Sequence, residues 1–131
     1  MAERFLVTHR GRVEHGQRLG RLLGAPTANL ALPRDAGVPF GTFAAIVEGL
    51  ERPYRAVAHV GVRPSVTAGG LPLLEAHLLD FEGDLYGREV IVQLAHKVAD
   101  EVRVDSLEAL ARKIADDVAA VRAYFAEAAA G

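Results

Sequence analysis

Residues 73–81 read LLEAHLLDF, and this stretch decides the class of fold. Leu74 and Leu78 fall on one side of a period of two, while Glu75 and His77 fall on the other. One face of the predicted strand is therefore apolar, and the opposite face carries a carboxylate and an imidazole. Such alternation is typical of an antiparallel sheet with one buried face. We therefore predict a strand here, within a mainly β domain.

In chain order, the other predicted elements are a strand at 5–8, a weakly alternating segment at 12–18, extended structure at 30–32, and strands at 42–47, 54–60 and 89–95. Gly11 separates the first two, and 42–47 is expected to pair with 54–60. The turn at 82–84 predicts a hairpin between 73–81 and 89–95. Five or six strands before a terminal helix indicate a small barrel or a strongly curved sheet, with the helix packed against it.

The last quarter of the chain changes to a helical period. Asp105 stands where an N-cap is expected, and Glu108 follows three residues later, which is a capping-box spacing. Lys113 and Asp117 are predicted on the polar face. Apolar side chains recur at helical spacing at Leu107, Leu110, Ala111, Ile114, Val118, Val121 and Phe125. The pattern predicts an amphipathic helix with one buried face.

Composition narrows the class of protein. A chain of 131 residues, 50% hydrophobic and 24% charged, suits one globular domain. The net charge of −2 offers no general attraction to nucleic acid or to an anionic membrane, and no transmembrane stretch occurs. The absence of cysteine excludes disulfides and thiolate metal sites, and it favours a reducing compartment. We therefore predict a cytoplasmic protein without nucleic-acid or membrane partners.

A second stretch, residues 20–29, reads GRLLGAPTAN and carries candidate chemistry. Glycines let a backbone approach a bulky anion, and proline presets the turn. The Thr27 hydroxyl and the Asn29 amide oxygen are neutral ligands that Mg²⁺ accepts when phosphates supply the remaining charge. An ordinary loop between two strands is the equally weighted alternative.

Glu75 is the leading candidate for a general base, because partial burial on a strand would raise the pKa of its carboxyl group. The alternative is a solvent-facing residue on a half-exposed sheet, and His77 on the same face is more simply a surface or structural histidine. The acids around 80–84 are expected to be solvated. A phosphate and metal loop together with a strand-borne carboxylate suits phosphoryl transfer. The sequence contains no P-loop, no GxSxG and no strand-linked GxGxxG.

Several segments, in order, resemble the riboflavin kinase (flavokinase) family. The most specific are the PTAN tetrapeptide at 26–29 and the Glu-x-His…Leu-Tyr-Gly signature at 75–87; the others lie at 11–16, 20–25, 61–65 and 105–110. The resemblance implies a six-stranded antiparallel Greek-key barrel with one long C-terminal helix. The single domain would span 1–131, with the barrel at about 4–98 and the helix at about 106–127.

The resemblance also implies a reaction and roles for residues. The reaction is transfer of the γ-phosphate of ATP to the 5′-hydroxyl of riboflavin, which gives FMN and ADP. Glu75 would be the general base, and Thr27 and Asn29 would hold Mg²⁺. The nucleotide would be bound by Gly16, Arg21, Thr27, Leu78, Asp80 and Tyr86, and the flavin by Ala99, Glu101, Val102 and Val104. In bacteria this domain usually follows an adenylyltransferase domain, so the chain is expected to be a standalone enzyme or an excised domain. A separate FAD synthetase or a flavoprotein is the expected macromolecular partner.

Departures from the family pattern concentrate on the flavin side. Ala99 stands where the family usually carries arginine, and Val104 where it carries phenylalanine, while Glu101 is retained. Alanine supplies neither the charge nor the stacking of arginine. His59 replaces a usual asparagine, and Ser65 a usual threonine. Two alternatives therefore stay open, a non-catalytic flavin- or nucleotide-binding regulatory module and a kinase with an altered acceptor.

Overall fold

The computed structural model describes residues 6–14, 27–33, 37–62, 72–100 and 105–130. They form β1 (Val7–Arg12), β2 (Thr27–Ala31), β3 (Gly41–Glu48), β4 (Tyr54–Val62), β5 (Pro72–Leu78), β6 (Glu89–Ala99) and one helix, α1 (Leu107–Ala130). Within these ranges, no helix combines the length and apolar character needed to cross a membrane.

The strands form one antiparallel sheet in the order β1-β6-β3-β4-β5-β2. Strands β3, β4 and β5 follow one another, and β6 returns to pair with β3, which is a Greek-key arrangement. The two edge strands meet at a bridge in which the Glu14 amide donates to the Asn29 carbonyl over 2.8 Å. The sheet is thus a nearly closed barrel, and the predicted fold class is confirmed.

Alternate side chains fill the barrel, as the period of two predicts. On β5, Leu74, Ala76 and Leu78 are buried and join the interior core. Phe81 and Leu85, from the segment after β5, belong to the same core. A second cluster lies outside the barrel, where α1 covers the sheet, and consists of Ala44, Val57, Val121 and Phe125. The helix therefore packs on the outer face of β3 and β4.

The predicted hairpin between 73–81 and 89–95 is wrong. Strand β5 pairs with β4 and β2, whereas β6 pairs with β1 and β3. The connection at 79–88 is too long for a tight turn, and it turns inward, since Phe81 and Leu85 are both buried. The connection crosses one end of the barrel and does not join neighbouring strands.

Two predicted breaks fall inside strands. Gly11 lies within β1, where a Cβ atom would approach Leu30 Cδ2 to 3.4 Å, so glycine admits a close neighbour without ending the strand. Thr27 and Asn29, assigned to a loop, lie in β2 and pair with His77 and Glu75. Pairing with β5 outweighs the loop preference of this stretch. Residues 15–26, which hold the remainder of the predicted loop, lie outside the described residues.

The predicted cap of α1 is wrong by one residue. The amide of Ala109 donates to Ser106 Oγ over 3.0 Å, so Ser106 is the N-cap and Asp105 precedes it. The apolar stripe is confirmed at Val121 and Phe125, but Leu107 is 66% exposed. The first turn extends beyond the sheet and has little to pack against.

We expect Ser106→Ala to lower the free energy of unfolding by about 1 kcal/mol, because the Ala109 amide loses its acceptor. Asp105→Ala, the matched control, should cost less than half as much, since Asp105 would contribute only through the helix dipole. Urea unfolding of both variants measures the difference. An equal loss in the two variants would contradict the assignment of Ser106 as the cap.

Candidate active site

A row of polar side chains crosses the outer face of the barrel. The register pairs Asn29 with Glu75, Glu75 with His59 and His59 with Thr42. Directly paired residues of antiparallel strands project from the same face, about 5 Å apart at Cβ. The register thus aligns side chains from β2, β5, β4 and β3, far apart in sequence. Asn29 and Glu75, one from each of the two segments that carried the sequence hypothesis, meet in this row.

Thr27 and Asn29 are two residues apart on β2 and therefore share the outer face. Asn29 is 5% exposed, and among the described residues its Oδ1 atom is a buried acceptor without a hydrogen-bond partner. An unsatisfied buried acceptor costs free energy, typically about 1–3 kcal/mol. Thr27 Oγ1 lies 2.9 Å from His77 Nδ1. Two neutral oxygens, one of them unsatisfied, fit the ligand preference of Mg²⁺.

Glu75 lies in the middle of the polar row and is half-buried. It is neither a fully solvated strand residue nor a carboxylate sealed in the core. The described residues contain no cluster of three or more carboxylate or imidazole groups arranged to hold a metal ion. A divalent cation bound here would therefore need phosphate oxygens to supply most of the negative charge among its ligands.

Helix α1 adds a buried ion pair to the far end of the row. Lys113 Nζ donates to Asp117 Oδ2 over 2.7 Å and to Thr42 Oγ1 over 3.4 Å. Asp117 is only 4% exposed, and its Oδ2 atom lies 4.0 Å from His59 Nε2. His59 Nδ1 in turn lies 3.0 Å from Thr42 Oγ1. The side chains of β3, β4 and α1 thus form one polar network.

Both histidines of this region are held neutral. Burial is the main cause that lowers the pKa of His59 to about 3, and electrostatic interactions with His77 and with the Lys113 ammonium group act in the same direction. Burial also lowers the pKa of His77, and the Asp117 carboxylate partly opposes that shift. The two rings meet edge to face with centroids 5.5 Å apart. Neutral imidazoles leave one ring nitrogen of each as an acceptor.

A cavity of about 990 Å³ opens at the seam where β1 and β2 meet. It is lined by both edge strands and by Tyr86 and Gly87, and the Tyr86 ring is 54% exposed. Arg12 Nη1 donates to the Gly87 carbonyl over 2.7 Å, which ties this turn to β1. Since Glu14 lines the cavity and bridges to Asn29, the cavity adjoins the polar row.

The other residues predicted for the site lie in different parts of the structure. Leu78 points into the barrel core, so its side chain is not at the surface. Asp80 is exposed, with a positive φ of 61°, and its two carboxylate oxygens accept from Arg122 at 3.2 and 3.3 Å. Ala99 ends β6 opposite Thr42, at the end of the row. The predicted residues that lie outside the described part of the chain are Gly16, Arg21, Glu101, Val102 and Val104.

Sequence reasoning missed most of the network under α1. Lys113 and Asp117 had been assigned to the polar face of the helix, yet Asp117 is buried against the sheet. His77 had been interpreted as a surface or structural side chain, yet it is buried beside Thr27. The sequence contained one indication of this burial. Lys113, Asp117 and the apolar Val121 follow one another at intervals of four residues, which places them on the same side of the helix. Recognising it requires knowing that the facing strands present Thr42 and His59.

The neutral state of His59 predicts a pH-dependent stability. Its folded-state pKa of about 3 is below the ordinary value of 6.5, so the unfolded chain binds the extra proton. Stability is therefore full above about pH 6.5 and declines toward pH 3, by at most about 1.4 kcal/mol per pH unit for this group. We expect His59→Asn to flatten this decline in urea unfolding between pH 4 and pH 7.

His77 contributes with the same sign in both proteins, so only part of the slope should disappear. His96→Asn, at an exposed histidine outside the network, is the matched control for the loss of an imidazole. A His59→Asn protein that keeps the full wild-type slope would contradict the burial of a neutral ring at this position.

The family model and similar curated proteins share the description riboflavin kinase. The riboflavin kinase (flavokinase) family model matches residues 4–125. A bifunctional riboflavin kinase/FMN adenylyltransferase from Pseudomonas fluorescens is 47% identical over 119 residues, 91% of this chain and 38% of that protein. The Escherichia coli K12 protein of the same description is 47% identical over 116 residues, 88% of this chain and 37% of its own.

More distant matches agree in fold. An RNA-binding riboflavin kinase from Bacillus subtilis is 34% identical over 115 residues, 88% of this chain and 50% of that protein. A solved structure from Streptococcus pneumoniae, described as a macrolide-efflux protein, superposes with a TM-score of 0.75 at 35% identity. It covers 88% of this chain and 38% of that one. The chain spans less than two fifths of the first two relatives. By the family match over nearly its whole length, the chain belongs to the riboflavin kinase family.

Proposed function

We propose that this chain transfers the γ-phosphate of ATP to the 5′-hydroxyl of riboflavin, forming FMN and ADP. The observation that carries the proposal is the register of β2, β5 and β4, which sets Glu75 between Asn29 and His59 on the outer face. A half-buried carboxylate next to two neutral oxygen ligands suits a reaction in which an alcohol attacks a metal-bound phosphate. Membership of the riboflavin kinase family supports riboflavin as that alcohol.

In this proposal Glu75 is the general base. The riboflavin 5′-oxygen forms a bond to the γ-phosphorus while the bond from that phosphorus to the β,γ-bridging oxygen breaks. The hydroxyl proton passes to a Glu75 carboxylate oxygen, and ADP leaves with the bridging oxygen.

Thr27 Oγ1 and Asn29 Oδ1 would hold Mg²⁺ together with phosphate oxygens. The bound ion would neutralise charge on the phosphates during transfer. Asn29 supports this role most directly, since a cation would satisfy its buried Oδ1 atom. Proton transfer stays with Glu75, because neither Thr27 nor Asn29 is a base at neutral pH.

We place the nucleotide base in the cavity between β1 and β2. The exposed Tyr86 ring at its rim offers an apolar face for stacking. Gly16 and Arg21 would contact the phosphates from the segment that precedes β2. Leu78 and Asp80 would shape the nucleotide site indirectly, Leu78 as core packing and Asp80 through its pair with Arg122.

A kinase with an altered acceptor is the second candidate function, and Ala99 favours it. Ala99 lies opposite Thr42 at the end of the polar row, where the family usually carries arginine. Glu101, Val102 and Val104 would complete the flavin contacts. FMN made here would pass to an FMN adenylyltransferase or a flavoprotein, and the cysteine-free sequence suits the cytoplasm.

Glu75→Gln should lower kcat for FMN formation by about 10²- to 10⁴-fold, because glutamine cannot accept the proton. Binding of Mg-ATP should change little, since the amide is nearly the same size. Chromatographic assay of FMN from riboflavin and Mg-ATP measures the loss. Glu82→Gln, at an exposed turn carboxylate, is the matched control. A wild-type protein that makes no FMN would contradict the proposed function, and an active Glu75→Gln variant would contradict only the base.

Asn29→Leu should separate metal binding from stability. Leucine fills a similar volume and removes an unsatisfied buried acceptor, so the free energy of unfolding should stay level or rise. The Mg²⁺ concentration for half-maximal activity should rise by about tenfold or more, because a direct ligand is lost. Urea unfolding and Mg²⁺ titration of FMN formation measure the two effects.

Gln93→Leu is the matched control for Asn29→Leu. Gln93 Oε1 is likewise a buried acceptor without a partner among the described residues, but it lies on β6, away from the row. The control should reproduce the effect on stability and leave the Mg²⁺ requirement unchanged. An Asn29→Leu protein with the wild-type Mg²⁺ requirement would exclude Asn29 as a ligand.

A further inference from the structure

We propose that His77 is a positioning residue for the cation site: its Nδ1 atom accepts a hydrogen bond from the Thr27 hydroxyl and so turns the lone pairs of Thr27 Oγ1 toward the metal. The proposal rests on the proposed function, in which Thr27 is a ligand. It extends that function to a side chain that sequence analysis had interpreted as structural.

The contact itself is short and sheltered. Thr27 Oγ1 and His77 Nδ1 lie 2.9 Å apart on directly paired positions of β2 and β5. His77 is 7% exposed, so water competes little for the ring nitrogen. A second polar neighbour, the His59 ring, meets it edge to face at 5.5 Å. The strand register and this packing fix the imidazole against the threonine.

The direction of the hydrogen bond decides what Thr27 can do. A hydroxyl has one hydrogen to donate and two lone pairs to accept with. If Nδ1 carried a hydrogen and donated it, one lone pair of Oγ1 would be occupied and a positive dipole would face the cation. If Nδ1 accepts, the hydroxyl hydrogen is directed toward the ring and His77 occupies neither lone pair of Oγ1. The second arrangement is the one that favours a ligand oxygen, and outer-shell partners commonly orient ligands in this way.

The same surface contains a second threonine–histidine pair, and here a cation lies beside the hydroxyl. Thr42 Oγ1 lies 3.0 Å from His59 Nδ1 and 3.4 Å from Lys113 Nζ. An ammonium group can only donate, so Thr42 Oγ1 accepts from Lys113. The hydroxyl hydrogen is then free to go to His59 Nδ1. Here a threonine oxygen faces a cation while its hydroxyl hydrogen remains available for a histidine nitrogen 3.0 Å away, and the Thr27–His77 pair has the same contact at 2.9 Å without the lysine.

Substitutions at His77 test the proposal through Mn²⁺ binding. Electron paramagnetic resonance titration of Mn²⁺ in the presence of ADP measures affinity without turnover. His77→Asn keeps an oxygen acceptor near the position of Nδ1 and should retain most of the affinity. His77→Gln carries its polar atoms farther out, near Nε2, and His77→Leu has none, so both should bind Mn²⁺ about tenfold more weakly.

Two further variants keep the outcomes distinct. Thr27→Val removes the proposed ligand and should weaken Mn²⁺ binding at least as much as His77→Leu. His96→Gln removes an exposed imidazole outside the polar row and should leave Mn²⁺ affinity unchanged. Weak binding by Thr27→Val with normal binding by His77→Gln and His77→Leu would overturn the role of His77 alone. Normal binding by Thr27→Val as well would overturn Thr27 as a ligand, whereas FMN formation by the wild type tests the reaction separately.

A measurement on the wild-type protein tests the proposal even if the metal-site variants do not fold. Long-range ¹H–¹⁵N correlation spectra report which ring nitrogen of each histidine carries the proton, and His77→Asn supplies the assignment. We expect a bare Nδ1 and a protonated Nε2 on His77. A protonated Nδ1 would make His77 the donor to Thr27 and would overturn the proposal.

Discussion

The antiparallel register of β2, β5 and β4 is the constraint on which the candidate site depends. Side chains on a strand alternate between faces, so a shift of one residue in β5 would turn Glu75 into the barrel and Leu74 out to water. Burial of Leu74, Ala76 and Leu78 in the core prevents that shift. Apolar packing inside the barrel therefore determines which polar side chains stand together outside it.

Packing of helix α1 places a second constraint on the same surface. It buries Asp117 against the sheet, and burying a carboxylate is costly unless the charge is paired and hydrogen-bonded. Lys113 supplies the opposite charge, and Thr42 and His59 supply polar partners from β3 and β4. Each member of the network satisfies another, so removal of one would leave a buried group unpaired. The network holds α1 beside the polar row at a fixed place along β3 and β4.

The sequence could predict strands, the helix and the pairing of 42–47 with the neighbouring 54–60, but not the partners of 73–81. Alternation marked 73–81 as a strand, yet its partners depend on non-local contacts, and the nearest strand along the chain was wrongly chosen. Glu75, Thr27 and Asn29 were proposed because their residue types suit phosphate chemistry. The contacts of His77, Lys113 and Asp117 were not predicted, because they depend on what lies opposite these side chains in space. Burial of a charged helix residue is visible only when the facing strand is known.

The two halves of the site are supported in physically different ways. Thr27, Asn29 and Glu75 lie within regular, hydrogen-bonded strands whose register the core enforces. Ala99 lies at the end of β6, where the pairing with β3 shifts register beside Thr42 and again after Ala44. Such irregularities re-aim side chains without disturbing the rest of a sheet. In the proposed function, a change of residue at Ala99 would therefore alter what the acceptor side recognises while the polar row keeps its geometry.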